Sequence, residues 1–444
     1  MKILIAGAGE VGRHLAKLLS HEEQDVTIID TDAEHLATLD ANYNLLTIHG
    51  KPTSFESIRE GGATGCDLFI AVTPFETNNI LACSIAKGLG AKRTVARIDN
   101  YEYILREHRD YFSQIGVDHL IYPESLAARE IVLSLQRSWA RNWFEIHQGQ
   151  LIVVGVKIHA NACLNGMALK DIGREHRFFH VSAIKRNYET IIPRGDDIIR
   201  EGDIVYFTST AEKVDSVRDL CGKTGQAIHK CLIMGGSRIA VRLIRLAGDA
   251  YRFKIIESDR TRCEWLAERC PEAKIVHGDG RDIDLLLEEG ITEMDAFIAL
   301  TDSSETNILA SVSAKELGVC KTVAEVENIQ FISEAENLNV GTIINKKLLA
   351  SGRIFQILLE ADADTPKFMA LADADVAEIE VKPGSKITRA AVKDMKLSRD
   401  MTIAGIIRDN KGMLVTGNTR LEAGDHVVVF CLSGAIHKIE RLFN

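Results

Sequence analysis

Short apolar runs alternate with stretches of helical period along the first part of the chain. Lys2 to Ala6 reads as a strand, and Val11, Leu15, Leu18 and Leu19 then recur at helical spacing and line one face of a helix. Val26 to Ile29 predicts a second strand. Leu45 to Ile48, Leu68 to Val72 and Thr94 to Ile98 predict further strands, with helices near Ser54 to Glu60 and Asn78 to Gly88 between them. Strands separated by amphipathic helices predict βαβ units that feed a parallel sheet, an α/β fold of the Rossmann-like kind.

The pattern occurs twice. With the sequence shifted by 228 positions, Asp67-Leu-Phe-Ile-Ala-Val-Thr73 falls on Asp295-Ala-Phe-Ile-Ala-Leu-Thr301, and Asn79-Ile-Leu-Ala82 on Asn307-Ile-Leu-Ala310. Leu89-Gly90 then meets Leu317-Gly318, Thr94-Val-Ala96 meets Thr322-Val-Ala324, and Gly7 meets Gly235. Such a period is far longer than the about 20 to 50 residues of a solenoid unit, so these are duplicated domains.

A different texture follows each copy. Phe144 to Ile146, Leu151 to Ile158, Val181 to Lys185 and Ile204 to Phe207 are short strands separated by turns, and Phe368 to Phe430 repeats the style. Glu201-Gly202-Asp203 and Ala423-Gly424-Asp425 each make a turn ahead of a β-branched run. The reading is four domains in the order N1, C1, N2, C2: Rossmann-like 1–122, a small α+β module 143–223, Rossmann-like 229–345 and a second α+β module 365–444. Segments 123–142 and 345–364 are predicted amphipathic helices that join each N domain to its C module and are placed to carry domain or subunit contacts.

Composition narrows the function. A formal charge of −10, with basic residues interspersed among acids, argues against a nucleic-acid surface. Nine cysteines without a CxxC pair or metal-ligand spacing read as reduced thiols. The amino terminus enters an apolar strand directly, without a secretory signal pattern, and apolar stretches such as 151–156 and 427–432 fall short of the about 20 residues a spanning helix needs. A chain that stays in the cell and does not cross the membrane is expected.

The strongest chemistry lies in Gly7-Ala8-Gly9-Glu10-Val11-Gly12, which follows a predicted strand and opens a predicted helix. Gly7 permits the tight turn, Gly9 lets a pyrophosphate approach the backbone and Gly12 allows the helix to pack closely on the strand. The phosphates would sit on the helix N-terminus, where unpaired N–H groups and the dipole favour negative charge. Asp30, at the end of the second strand and 18 residues past Gly12, can accept hydrogen bonds from the adenosine ribose and repels a 2′-phosphate, which favours NAD or NADH over the phosphorylated forms. Thr73 ends a central strand at the crevice, and Arg97, at the end of the next strand, is placed to reach the phosphates.

The second copy departs from this pattern. Its turn is Gly235-Gly236-Ser237-Arg238-Ile239-Ala240, so Ser237 replaces Gly9, where a side chain crowds the pyrophosphate, and Ala240 replaces Gly12. Glu257 keeps the acid after a one-residue deletion, Asp279 adds a carboxylate opposite Lys51, and Glu325 replaces Arg97, with Arg238 as a compensating cation. This site is expected to bind more weakly, to bind a different nucleotide or to stay empty.

Three other signals have bland readings. His176 and His180, spaced to share a helix face, lack the HExxH order of a zinc protease and read as packing or surface residues. Tyr101, Tyr103, Arg106, Arg109, Tyr111 and Phe112 read as an amphipathic helix with a solvated face, and Trp139 and Trp143 as packing anchors. No catalytic constellation and no metal site can be placed.

The fingerprint at Gly7 to Gly12, Asp67 to Thr73, Ala96-Arg97-Ile98 and the paired C modules together resemble the TrkA family, over essentially the full chain. The N1-C1-N2-C2 order is the most specific element of the likeness. The resemblance implies tandem RCK domains in a non-enzymatic regulatory subunit of a bacterial potassium uptake system. It implies a homotetrameric ring in the cytoplasm, held peripherally on the inner face of the membrane beneath a separate channel of the TrkH or TrkG type, with NAD(H), and ATP or ADP, as gating ligands. It also implies nucleotide contacts at Gly7 to Val11, Asp30, Thr73, Pro74 and Arg97, and in the second copy at Gly235 to Ile239, Glu257, Thr301, Asp302 and Glu325. Two other readings stay open: an NAD-dependent oxidoreductase with a substrate site in C1 or C2, and an RCK-type regulator of an efflux system or antiporter.

Overall fold

The computed structural model describes residues 1–21, 24–359, 367–371, 374–395 and 397–432. Its first half begins with β1 (Lys2–Ala6), β2 (Asp25–Asp30), β3 (Leu46–His49), β4 (Leu68–Ala71), β5 (Thr94–Arg97) and β6 (His119–Ile121). They form one sheet in the order β3-β2-β1-β4-β5-β6, and each neighbouring pair is parallel. The connections carry α1 (Glu10–His21), α2 (Ala33–Asn42), α3 (Phe55–Glu60), α4 (Glu76–Gly88) and α5 (Arg109–Gln114). Side chains alternate across a strand, so Ile3 and Ile5 of β1 join Leu15, Leu19, Leu36 and Leu39 on one face, while Leu4 and Ala6 join Ile58, Cys83 and Phe112 on the other. Both faces are covered, as a parallel sheet requires.

α6 (Pro123–Gln136) leads to the first C module. The helix stops at Gln136, short of the expected 142, because Arg141 already donates its backbone N–H to Gly155 O at 2.9 Å as the chain enters sheet structure. β7 (Asn142–Ile146), β8 (Leu151–Lys157), β9 (Phe179–Arg186), β10 (Glu189–Ile191) and β11 (Ile204–Ser209) form an antiparallel sheet in the order β10-β9-β11-β8-β7, accompanied by α7 (Leu169–Glu175) and α8 (Val214–Leu220). The Glu201-Gly202-Asp203 turn has a second purpose that its glycine does not reveal. Asp203, 1% exposed, receives Arg186 Nε at 2.8 Å and Nη2 at 2.7 Å.

The second Rossmann-like sheet repeats the first. β12 (Lys230–Met234), β13 (Arg252–Glu257), β14 (Lys274–His277), β15 (Ala296–Ala299), β16 (Lys321–Glu325) and β17 (Thr342–Ile344) lie in the parallel order β14-β13-β12-β15-β16-β17. α9 (Arg238–Ala247), α10 (Arg260–Arg269), α11 (Ile283–Glu288), α12 (Ser304–Glu316) and α13 (Ile332–Asn337) connect them. Then come α14 (Lys346–Leu359) and the second C module, with β18 (Lys367–Leu371), β19 (Ala374–Glu380), β20 (Met401–Arg408), β21 (Lys411–Leu414) and β22 (His426–Leu432) in the antiparallel order β18-β19-β22-β20-β21. Positions 360–364 of the expected linking helix and 433–444 of the expected last domain lie outside the described residues. Arg408 grips Asp425 through Nε and Nη2, both at 2.7 Å, repeating the Arg186–Asp203 pair.

The linking helices are exchanged between the halves. One compact unit gathers Met1–Ala128 with the helix α14 from far along the chain; the other gathers Arg129–Ile344 with the second C module. In the first unit, Ala350, Ile354, Ile357 and Leu358 of α14 pack with Leu15 and Leu19 of α1, and Arg93 Nη1 donates to Ile357 O at 3.0 Å. In the second, Ser134 Oγ near the end of α6 donates to Thr342 Oγ1 at 2.9 Å, and Lys321 Nζ donates to Ala140 O at 2.9 Å. α14 therefore covers the Rossmann-like sheet of the first half, and the end of α6 meets β17 of the second.

A basic cluster sits where the first C module meets the second sheet, at the negative end of α13. Arg141 Nη2 donates to Asn339 Oδ1 at 2.7 Å, Lys315 Nζ to Asn339 O at 2.6 Å, Lys157 Nζ to Glu336 O at 3.2 Å and Lys185 Nζ to Glu336 Oε2 at 2.5 Å. Burial first, and neighbouring cations second, pull Lys315 and Lys321 down to about 7 and Lys157 down to about 8.

Candidate nucleotide site

The chain leaves β1 through Gly7, whose φ of +114° lies in the region that favours glycine. A Cβ on Gly12 would lie 1.9 Å from Gly7 O, so only a bare backbone lets α1 come this close to the turn. At Gly9, by contrast, an added Cβ would meet nothing within 4 Å. That opening lies at the start of α1, whose first N–H groups have no intrahelical partner. Ala8 is fully buried, Val11 is 9% exposed and packs in the core, and Glu10 is exposed. The turn can hold a phosphate group against its amides without displacing a side chain.

Asp30 ends β2 directly beneath this turn. Its Oδ2 accepts a hydrogen bond from the Ala8 amide and its Oδ1 one from the Asp32 amide at 2.9 Å. A carboxylate offers about four acceptor positions, so the side chain can brace the turn and still receive ribose hydroxyls.

Thr73, just past β4, forms the floor of the crevice and is fixed by Asn79 of α4. Asn79 Oδ1 accepts from Thr73 N at 2.9 Å and from Thr73 Oγ1 at 2.7 Å, while Nδ2 donates to Thr73 O at 3.0 Å and Arg97 O at 2.8 Å. Pro74 is exposed at the mouth. Arg97 holds Asp99 Oδ1 through Nη2 at 3.1 Å, and its Nη1 lies 3.5 Å from Thr73 O. The guanidinium thus stays beside the crevice floor. Glu76 Oε2 accepts from the Asp99 and Asn100 amides, both at 2.8 Å, and fixes the loop that carries Arg97's partner.

The second crevice keeps the frame and changes the contents. Gly235 has φ +95°, and Glu257 Oε2 accepts from the Gly236 amide at 2.7 Å, the counterpart of Asp30 on Ala8. Asn307 fixes Thr301 with the same bonds, Oδ1 accepting at 3.0 and 2.7 Å and Nδ2 donating to Thr301 O at 2.8 Å and Glu325 O at 2.9 Å. Ser237 caps α9, its Oγ accepting from the Ala240 amide at 3.4 Å, so it occupies a helix N–H as well as space at the turn. Arg238 is exposed in the first turn, Ile239 and Ala240 are buried, Asp302 is exposed, and Glu325 is 4% exposed where Arg97 stands in the first copy. Asp279 is held by Arg281, whose paired hydrogen bonds pull the carboxyl down to about 2.

Four residues that matter here were not singled out from sequence. Asn79 and Asn307 head an aligned block in the repeat, and that coincidence of a polar residue on an otherwise apolar helix face was the available signal. Arg262 donates through Nε to Gly236 O at 2.8 Å and stacks 3.8 Å over Trp265, adding a cation beside the second turn. Lys347 of α14 pairs with Glu10 inside the glycine turn, and only the helix exchange brings it there.

The other signals resolve as packing. His176 and His180 do not share a helix face: His176 caps α7, and His180 lies in β9 with Nε2 3.1 Å from Thr402 Oγ1. Burial pushes His180 down to about 4, so its ring is neutral. Residues 101–112 form two short 3-10 turns followed by α5 rather than one amphipathic helix, with Phe112 buried 5.0 Å from Tyr103. Asn100 caps the first of these turns, and the extended Leu105 interrupts the helical path. Trp139 and Trp143 meet edge to face at 6.2 Å against the first C module's core. No helix among the described residues is long and apolar enough to cross a membrane.

The comparisons with known proteins agree with this architecture in register. The TrkA-N domain family matches residues 3–123 and 231–346, and the TrkA-C domain family matches residues 153–222 and 376–444. The chain is 29% identical over 453 residues to the Trk system potassium uptake protein TrkA of Haemophilus influenzae, covering 100% of this chain and 98% of that one. It is 30% identical over 448 residues to the corresponding TrkA homolog of Archaeoglobus fulgidus, covering both chains in full at 100%. In fold it resembles the GsuK channel bound to NAD, with a TM-score of 0.58 at 14% identity over 100% of this chain and 78% of that one. Two TrkA-N and two TrkA-C matches in alternation, together with full-length relatives, identify the chain as a member of the TrkA family.

Proposed function

We propose that this protein is the nucleotide-sensing regulatory subunit of a potassium uptake system, with NAD(H) as ligand of the first crevice and ATP or ADP able to use the same phosphate cradle. In this reading it is not an enzyme. Four chains form a ring on the inner face of the membrane beneath a channel subunit of the TrkH or TrkG type, and the nucleotide biases that ring between states. The names of its relatives support the potassium role, and the NAD-bound GsuK channel supports the ligand class.

The observation that carries the reading is that α14 packs against α1, the helix whose N-terminus closes the glycine turn, and pairs Lys347 with Glu10. A ligand on α1 is thereby one helix contact from the segment that leads into the second C module. Gly7 to Val11 would face the pyrophosphate, Asp30 the ribose, and Thr73, Pro74 and Arg97 the far side of the crevice. In the second copy Gly235 to Ile239, Glu257, Thr301, Asp302 and Glu325 occupy the same positions. Ser237 and Glu325 make that copy the weaker partner. The ligand shifts gating only by its differential affinity for the two ring states, about 1.4 kcal/mol for each factor of ten.

The test is potassium flux through vesicles that contain the channel subunit and the full chain, with NADH varied. A flux that depends on NADH and loses that dependence with Lys347→Glu supports the reading. Flux indifferent to every nucleotide tested contradicts it.

A further inference from the structure

The two C modules share a core in which Ile146, Leu151 and Val153 of the first pack with Val376, Val428 and Phe430 of the second. At the edge of that core three side chains converge. His147 comes from the turn between β7 and β8, Glu378 from β19 and His426 from β22. Glu380 lies opposite His426 in the β19–β22 ladder and Glu378 opposite Val428, so Glu378 and His426 are diagonal neighbours on one sheet face. His147 reaches them from a backbone φ of +48°, a conformation that costs a non-glycine residue energy.

The geometry is that of a ligand set. Nδ1 of His147 lies 2.8 Å and Nδ1 of His426 3.2 Å from the same Oε1 of Glu378, and all three atoms lie within 4.8 Å of one another. The two rings are 5.0 Å apart between centroids. Two protonated imidazoles at that spacing would repel each other, whereas two neutral ones each offer a lone pair to one cation. A zinc-class ion takes imidazole nitrogen and carboxylate oxygen at about 2.0 to 2.2 Å, which places tetrahedral ligand atoms about 3.3 Å apart. The two nitrogen-to-oxygen spacings of 2.8 and 3.2 Å lie close to that value. Glu378 is 7% exposed in its side chain, while the histidines are 22% and 35% exposed, so a fourth position opens toward solvent for water. Two nitrogens and one oxygen select zinc, cobalt or nickel over calcium and magnesium, which prefer oxygen alone.

We infer that His147, Glu378 and His426 bind one divalent transition-metal ion of the zinc class, which ties the β7–β8 hairpin of the first C module to β19 and β22 of the second. None of these three residues is among those assigned to either nucleotide crevice, so the inference does not rest on the proposed sensing role.

The experiment uses the full chain stripped with a chelator and titrated with Zn2+ by calorimetry and with Co2+ by absorption spectroscopy. The expected result is one saturable ion per chain, a four-coordinate Co2+ spectrum that Zn2+ abolishes, and a higher melting temperature with the ion. His147→Asn and His426→Gln should each weaken Zn2+ binding by about 100-fold or more. Asparagine suits the left-handed backbone at 147, and circular dichroism of that variant should match the parent. The inference is overturned if the stripped chain takes up no saturable ion, or if the His147→Asn chain, folded by the same criterion, binds Zn2+ as tightly as the parent.

Discussion

Asp30 accepts the Ala8 amide through one carboxylate oxygen and the Asp32 amide through the other, so the side chain assigned to the ribose also shapes the turn that would hold the phosphates. Binding and local order are therefore linked at this residue. Asp30→Ala leaves the buried Ala8 amide without its acceptor, which should cost about 1 to 3 kcal/mol of stability. The measurement is denaturant unfolding of the chain without nucleotide, and a change below about 0.5 kcal/mol would separate the two roles.

Asn79 makes four hydrogen bonds from a side chain that is 1% exposed, and they join β4, β5 and α4 at the crevice floor. Asn79→Ala should destabilise the first unit by about 3 kcal/mol or more, because several buried groups lose partners at once. Asn307→Ala should do the same in the second unit. Thermal unfolding monitored by circular dichroism checks both.

α14 offers a comparison of magnitudes. Its buried Ile354 packs into the first sheet's core, whereas Lys347 meets Glu10 with 25% and 47% of their side chains exposed. Ile354→Ala should cost about 2 to 5 kcal/mol, and Lys347→Ala at most about 1 kcal/mol. Urea unfolding distinguishes them, and near-equal effects would mean that the ion pair, rather than apolar contact, docks the helix.

Lys321 gives the pH dependence a sign. Its amine is buried and pulled down to about 7 in the folded protein, while in the unfolded chain it titrates near 10.4. Between those values the unfolded chain binds the extra proton, so this group makes stability rise as pH rises from about 7 toward 10. Lys321→Met should flatten the slope of melting temperature against pH over that window. An unchanged slope would mean that the amine keeps its proton when folded.

Much of this was legible in the residues. Gly7, Gly12 and Asp30 do what their spacing requires, since a turn at positive φ, a helix packed at contact distance and an acid at a strand end are local demands. Repetition made the second sheet readable with the first. The rest depended on pairs distant in sequence. Nothing near Lys347 points to Glu10, and nothing near His147 points to Glu378 and His426, because the exchange of linking helices and the pairing of C modules create those neighbours. The Ser237 substitution read as crowding, while its hydroxyl also caps α9, which requires the helix start to be known to the residue. Helical periodicity over 101–112 failed because Asn100 caps a 3-10 turn and Leu105 breaks the path.

The central claim is that the first crevice, and not its twin, is the principal nucleotide sensor. Its most direct test is a calorimetric titration of the full chain with NADH, comparing the parent with Asp30→Ala and Glu257→Ala. The account predicts that Asp30→Ala weakens the tighter binding event by about 10- to 100-fold, the loss of a charge-assisted bond of about 1.5 to 3 kcal/mol, while Glu257→Ala leaves that event in place. Undiminished tight binding in a folded Asp30→Ala chain, or its loss in Glu257→Ala alone, would contradict it.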